Sequence, residues 1–103
     1  MFDFINFSHK EGEKKPGDIM IFALSTCGFC KSGMEFLEKQ RVTYDYIYVD
    51  DLPLSEKSKL REEFNKTFGS KLVYPTLVFN GKEVLKGFIQ PSWEQVLGLE
   101  YEN

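Results

Sequence analysis

Ile19-Met20-Ile21-Phe22-Ala23-Leu24-Ser25-Thr26-Cys27-Gly28-Phe29-Cys30 is the stretch on which the reading of this chain turns. Ile19 to Leu24 is a continuous apolar run with two isoleucines and a phenylalanine, the pattern of a strand buried on both faces. Beyond Ser25 and Thr26 the period changes. Phe29, Gly33, Phe36, Leu37 and Gln40 fall at helical spacing, so a helix is expected to about Gln40, with Thr26 or Cys27 as its N-cap. Gly33 costs roughly 1 kcal/mol relative to Ala inside a helix, a cost that a close packing contact would explain. A Cys-Gly-Phe-Cys motif thus stands where a buried strand gives way to a helix.

The flanking sequence supplies the remaining elements. Tyr44 to Val49 is rich in aromatic and β-branched residues and reads as a second strand, broken by Asp50-Asp51-Leu52-Pro53. A helix follows from Leu54 or Ser55 to Phe68, with Leu60, Phe64 and Phe68 on one face and Gly69 as its stop. Val73-Tyr74-Pro75 leads into a strand, Thr76 to Phe79. Asn80-Gly81 is a hairpin signal, and Glu83 to Lys86 returns as its partner. Gly87 turns the chain, and Pro91 sits in the first turn of a last helix carrying Trp93, Val96 and Leu97.

Two strands joined by a helix are expected to run parallel, and the hairpin antiparallel. The predicted fold class is therefore α/β: a four-stranded mixed sheet flanked by three helices. Residues 1–17 show no clear period and end in a charged stretch closed by Pro16-Gly17, so they read as an N-terminal extension leading into one domain at 18–103. Phe2, Phe4, Ile5 and Phe7 fit either packing against that domain or a mobile tail.

Composition narrows the function classes. The chain has 103 residues, 42% of them hydrophobic and 28% charged, which suits one globular domain. A net charge of −3 argues against a nucleic-acid surface. No apolar run approaches the roughly 20 residues of a membrane span, and Met1 to Lys10 has neither a basic head nor an apolar core, so it does not read as a secretory signal. The expected setting is the cytoplasm, where a cysteine pair points to catalysis or metal binding rather than a permanent crosslink.

Both cysteines of the chain lie in the motif. Residues three apart at a helix start share a face, so their sulfurs can approach bonding distance. The first cysteine stands where unpaired backbone N–H groups and the positive helix end favour a thiolate. Such settings bring a thiol pKa from about 8.5 to roughly 3.5–7.5. Roles follow: Cys27 attacks a disulfide as nucleophile, and Cys30 resolves the mixed disulfide. Two electrons move and no cofactor is required. Zinc would need further Cys or His ligands, and the one histidine, His9, lies in the N-terminal stretch as an ordinary surface residue, so no metal site is expected. Lys31 adds positive charge near the pair or is simply solvated. Pro75 is open to a cis peptide bond, which would leave the N–H and C=O of Tyr74 free to pair with a substrate chain, or to an ordinary trans loop.

From Ile19 to about Leu97 the chain resembles a glutaredoxin-type member of the thioredoxin superfamily. The resemblance is carried by the strand Ile19 to Leu24, Thr26-Cys27-Gly28-Phe29-Cys30, Tyr74-Pro75-Thr76-Leu77-Val78-Phe79, the Asn80-Gly81 hairpin and Gly87 before the last helix. It implies a thioredoxin-like fold, a cis Pro75 beside the cysteines, and a substrate surface formed by Thr26, Gly28, Phe29, Tyr74, Pro75, Gly87 and Phe88. Departures bear on glutathione. Leu24 stands where glutathione-using members carry Lys, Val73-Tyr74 replaces Thr-Val, and Gly87-Phe88-Ile89-Gln90-Pro91 replaces a Gly-Gly followed by Asp. Each missing charge-assisted contact would be worth roughly 1.5–3 kcal/mol. Lys71 offers a carboxylate contact or is solvated. Gly87-Phe88 with Pro91 is similar to the redoxins that serve ribonucleotide reductase, and the Gly28-Phe29 interior is similar to monothiol glutaredoxins.

The resulting expectation is a monomeric thiol–disulfide oxidoreductase that reduces protein disulfides by a dithiol mechanism without strong glutathione selectivity. Its electrons would come from a thioredoxin-reductase-like or ferredoxin-linked reductase, or from glutathione. The alternative is a carrier of a [2Fe–2S] cluster bridged through Cys27 with glutathione, although one chain supplies too few thiolates for it.

Overall fold

The computed structural model describes residues 2–99. Its centre is the apolar run, which forms β2 (Ile19–Ala23). The chain continues through α1 (Gly28–Lys39), β3 (Tyr44–Tyr48), a 3-10 turn (Val49–Asp51), α2 (Leu54–Phe68), β4 (Thr76–Phe79), β5 (Glu83–Lys86) and α3 (Gln90–Leu97). Parallel pairing of β2 with β3 sets Ile21 opposite Tyr46, and antiparallel pairing with β4 sets Ile21 opposite Leu77. The hairpin pairs Leu77 with Leu85. Asn80 and Gly81 between its strands hold φ of 54° and 69°, the left-handed pair that a tight hairpin with the right twist demands. Gly69, at φ 68°, closes α2 through its N–H to the Asn65 carbonyl at 2.7 Å.

The sheet has five strands, not the four expected. The additional strand, β1 (Ser8–Lys10), pairs antiparallel with β3 at the sheet edge, giving the order β1-β3-β2-β4-β5. It is short, polar and exposed throughout, so it carries none of the apolar alternation by which a strand is recognised. What holds it is backbone pairing and charge: His9 Nδ1 to Asp45 Oδ1 at 2.6 Å, and Lys10 Nζ to Glu38 Oε1 at 3.3 Å. Further along, the Gly12 N–H donates to Thr43 Oγ1 at 3.0 Å, and that hydroxyl donates back to the Gly12 carbonyl.

Because β2 is central, its alternate side chains feed two cores. Ile21 and Ala23 face α1 and α3, packing with Leu37, Leu77, Trp93 and Leu97. Phe22 faces the other way, into Phe2, Val49, Leu60, Phe64 and Val78 beneath α2. The N-terminal stretch contributes to this second core. Phe2 is 1% exposed, with its ring centroid 5.5 Å from Phe22 and 6.4 Å from both Phe64 and Phe68.

Helix α1 buries Cys30, Gly33, Met34, Phe36 and Leu37. Phe29, placed on the apolar face by spacing, is instead 73% exposed. Gly33 meets Trp93: a Cβ there would lie 2.8 Å from Trp93 Cη2. The indole N–H of Trp93 donates to the Gly87 carbonyl at 3.1 Å, tying α3 to the turn after β5.

Candidate active site

The register of the sheet brings three segments together at the C-terminal end of β2. Phe22 pairs with Thr76, and Thr76 with Lys86. The residues just beyond, Leu24 to Cys27, Tyr74-Pro75 and Gly87-Phe88, are therefore drawn to one edge. The Gly87 N–H donates to the Pro75 carbonyl at 2.7 Å, locking two of them. The Tyr74-Pro75 bond is cis.

Cys27 is the N-cap of α1, with φ −91° and ψ 117°, and its Sγ accepts the Cys30 N–H at 3.2 Å. Its amide bonds back to the Leu24 carbonyl at 3.2 Å, and its carbonyl receives the Lys31 N–H at 3.1 Å. The sulfur thus occupies the place of an N-cap oxygen, facing the free amides and positive end of the helix. Cys27 is half-buried, whereas Cys30 is buried, and neither is in a disulfide. Burial, and then the neighbouring Cys27 sulfur, push the Cys30 thiol up to about 12. The pair is asymmetric: one sulfur accessible and bonded to an amide, the other withdrawn and held as a thiol.

The sequence-expected surroundings divide into two kinds. Thr26, Gly28 and Phe29 are exposed beside Cys27. A Cβ on Gly28 would meet nothing within 4 Å, so packing does not require glycine there. Tyr74 packs against both cores, and its buried hydroxyl has no partner among the described residues. Gly87 takes φ 76°, a conformation that favours glycine. Phe88 is engaged inward, its ring 4.8 Å from Trp93 and 5.6 Å from Phe36. Lys71 lines a cavity of about 870 Å3 with Arg61, Lys66 and Tyr74. Among the described residues, no group of three or more His, Cys, Asp and Glu could hold a metal ion. None of their helices is long and apolar enough to cross a membrane.

Sequence reasoning missed two features. Asp50, read only as a strand breaker, accepts the Ser25 N–H at 2.9 Å and also the Ser25 hydroxyl, which fixes the loop leading to Cys27. Those hydrogen bonds hold its carboxyl below the ordinary range. Glu35, Glu38 and Tyr48 line a cavity with Cys27 and Lys31. Neither feature has a local signal, because each joins α1 or its loop to the end of β3.

The glutaredoxin family model matches residues 19–84. Comparison with curated protein sequences finds no match. Among solved structures, the glutaredoxin from Methanosarcina mazei Go1 is similar at 29% identity over 92% of this chain and 90% of its own, with a TM-score of 0.77. Methanosarcina acetivorans methanoredoxin is 29% identical over 82% of this chain and 88% of its own, TM-score 0.73. A glutaredoxin from Archaeoglobus fulgidus is 28% identical over 79% and 86%, TM-score 0.68. These likenesses and the five-stranded sheet with three helices establish the thioredoxin-like fold, and the family and fold support a thiol oxidoreductase function. With the family match covering the strand, the cysteine motif, the cis proline and the hairpin turn, the chain belongs to the glutaredoxin family.

Proposed function

We propose that this chain is a dithiol thiol–disulfide oxidoreductase acting on protein disulfides, with Cys27 as nucleophile and Cys30 as resolving thiol. The observation that carries the reading is the asymmetry of the pair: Cys27 half-buried with its sulfur on the Cys30 amide, Cys30 buried behind it. The Cys27 thiolate attacks one sulfur of the substrate disulfide. A Cys27–substrate disulfide forms and the other substrate sulfur leaves, taking a proton. Cys30 then loses its proton and attacks Cys27 Sγ. This releases the second substrate thiol and leaves a Cys27–Cys30 disulfide, so two electrons pass to the substrate from the protein's own sulfurs.

A protein substrate is supported by exposed apolar side chains on the segments that meet at Cys27: Phe29 at 73%, Val73 at 37% and Ile89 at 58% exposure. Thr26, Gly28, Tyr74, Pro75, Gly87 and Phe88 complete the substrate surface in this reading. Weak glutathione selectivity is supported by Leu24, which packs on the second core where a glutathione-using member would present an ammonium group. The electron donor is then a thioredoxin-reductase-like or ferredoxin-linked enzyme in preference to glutathione, and the chain acts as a cytoplasmic monomer. An insulin-reduction assay tests the mechanism. Cys27→Ser is expected to abolish turnover, and Cys30→Ser to trap a mixed disulfide through Cys27; full turnover by Cys27→Ser would overturn the proposal.

A further inference from the structure

Strand β3 reads Tyr-Asp-Tyr-Ile-Tyr, so alternation puts Tyr44, Tyr46 and Tyr48 on one face of the sheet, the face covered by α1. Their rings form a continuous row. The Tyr44 and Tyr46 centroids are 5.8 Å apart, and those of Tyr46 and Tyr48 are 5.5 Å apart. One end of the row is at the cysteines: Tyr48 lines a cavity with Cys27 and lies close enough to Cys30 to interact electrostatically. The other end is buried. Tyr44 is 2% exposed, and its hydroxyl faces the Glu38 carboxylate, to which it is hydrogen bonded. Glu38 itself is partly exposed and holds Lys10 at 3.3 Å. A phenol is oxidised most readily where a carboxylate can take its proton as the electron leaves, and Tyr44 has that arrangement. A reactive sulfur is thus joined to a buried phenol–carboxylate pair by rings in contact.

We propose that Tyr48, Tyr46 and Tyr44 form a one-electron relay that returns an oxidised Cys27 to its thiolate and parks the oxidising equivalent at the Tyr44–Glu38 pair. The inference rests on the reading of Cys27 as the accessible thiolate and adds a single-electron route to its two-electron chemistry. The oxidant is a diffusing radical of the peroxyl class. It takes one electron from the Cys27 thiolate and a proton from water, becoming a hydroperoxide and leaving a thiyl radical. An electron from Tyr48 refills the sulfur, and Tyr46 and then Tyr44 refill the ring before them. Tyr48 and Tyr46 end unchanged. Tyr44 loses one electron, and its phenolic proton passes to Glu38. The net change is Cys27 thiyl, Tyr44 phenol and Glu38 carboxylate to Cys27 thiolate, Tyr44 phenoxyl and Glu38 carboxylic acid, with charge conserved. A diffusible one-electron reductant of the ascorbate class then restores Tyr44. The competing trap for a thiyl radical is a neighbouring thiolate. Burial keeps Cys30 a thiol, which closes that shortcut.

The test generates the thiyl radical at Cys27 alone. Cys30→Ser leaves one cysteine, which is S-nitrosated, and anaerobic photolysis splits its S–N bond into the thiyl radical and nitric oxide. Time-resolved absorption and freeze-quench EPR are expected to show a tyrosyl radical growing in as the thiyl decays. Adding Tyr48→Phe should abolish the tyrosyl signal and lengthen the life of the thiyl. Tyr46→Phe should confine the signal to Tyr48 and shorten its life, and Glu38→Gln should shorten the life of the final radical. Each Tyr→Phe change keeps the ring, and circular dichroism checks the fold. Thiyl decay with no tyrosyl signal, or a tyrosyl signal that survives Tyr48→Phe, overturns the relay. So does a tryptophanyl signal that disappears with Trp93→Phe. Insulin reduction by the protein with both cysteines moves electron pairs and is expected to be unchanged by Tyr46→Phe, so loss of the relay and loss of the oxidoreductase reading are read separately.

Discussion

The Cys30 N–H points at Cys27 Sγ from 3.2 Å, so the buried cysteine presents its amide to the accessible one. In the proposed mechanism one residue thereby holds two places. Its backbone favours negative charge on Cys27, while its side chain waits protonated behind it, with burial raising the Cys30 thiol to about 12.

Burial, the first cause of that shift, persists when Cys27 is held in a mixed disulfide, so the raised Cys30 thiol sets a pH dependence for the second step. The attacking species is the thiolate, and its fraction rises about tenfold per pH unit below the thiol pKa. Resolution of a mixed disulfide on Cys27 is therefore expected to accelerate from pH 6 to 9 without a plateau, as followed by release of a labelled thiol. A plateau near pH 7 would show that Cys30 ionises there. Stability follows the same shift. A raised thiol pKa contributes fully below the ordinary value of 9.0 and is lost as pH climbs from there towards about 12, so Cys30→Ser should flatten the alkaline arm of a denaturation profile.

Gly33→Ala should destabilise the fold even though Ala is the better helix former by about 1 kcal/mol. The new methyl would stand 2.8 Å from Trp93 Cη2, within a contact that also involves Phe88. Overpacking of this kind costs about 1–3 kcal/mol. Urea unfolding would measure it, and a gain in stability would show that Trp93 yields freely.

Phe2→Ala should cost about 3–5 kcal/mol, the range for removing a buried aromatic side chain. The ring is 1% exposed and packs on Phe22, Phe64 and Phe68. Thermal unfolding should drop accordingly. A midpoint within error of the wild type would mean that the N-terminal segment is dispensable.

His9 is bonded at both ring nitrogens, to Glu11 and Asp45 at 2.6 Å each. Only the doubly protonated ring donates to both. The hydrogen bond to Glu11, then that to Asp45, raise its pKa above 6.5. Its contribution to pinning β1 is thus complete below pH 6.5 and lost as pH rises through the higher folded value. NMR titration should place His9 above 6.5, and Glu11→Gln or Asp45→Asn should lower it; a midpoint at or below 6.5 in the intact protein would contradict the bridge.

Leu24→Lys places an ammonium group where the resemblance to glutathione-using glutaredoxins expects one. If the weak glutathione selectivity we propose comes from the lack of that group, the variant should reduce substrates with glutathione at a kcat/KM higher by about tenfold, the value of one charge-assisted contact. No change would place the determinant at Val73-Tyr74 or in Gly87-Phe88.

Much of this protein is legible along the chain because the relevant signals are local. The apolar run of β2, the period change at Cys27, Gly69 after α2 and Asn80-Gly81 each fix a nearby backbone conformation, and both cysteines fall in one motif. Spacing alone carried Phe29 to the wrong face: in the first turn of α1 its side chain is 73% exposed.

What the tertiary structure decided is long-range. Strand β1 has no apolar alternation and exists because its backbone and the His9 and Lys10 side chains find Asp45 and Glu38 on distant segments. Phe2 is a core residue only because Phe22 and the aromatic face of α2 leave a place for it. Asp50 reaches Ser25, and Glu35, Glu38 and Tyr48 share a cavity with Cys27, because parallel pairing of β2 and β3 sets the end of one strand beside the end of the other. The sequence by itself picked out the two sulfurs of the proposed chemistry, since they lie within a few residues of one helix start. The charge and shape around the reactive sulfur come from side chains far apart along the chain, and only the sheet register brings them together.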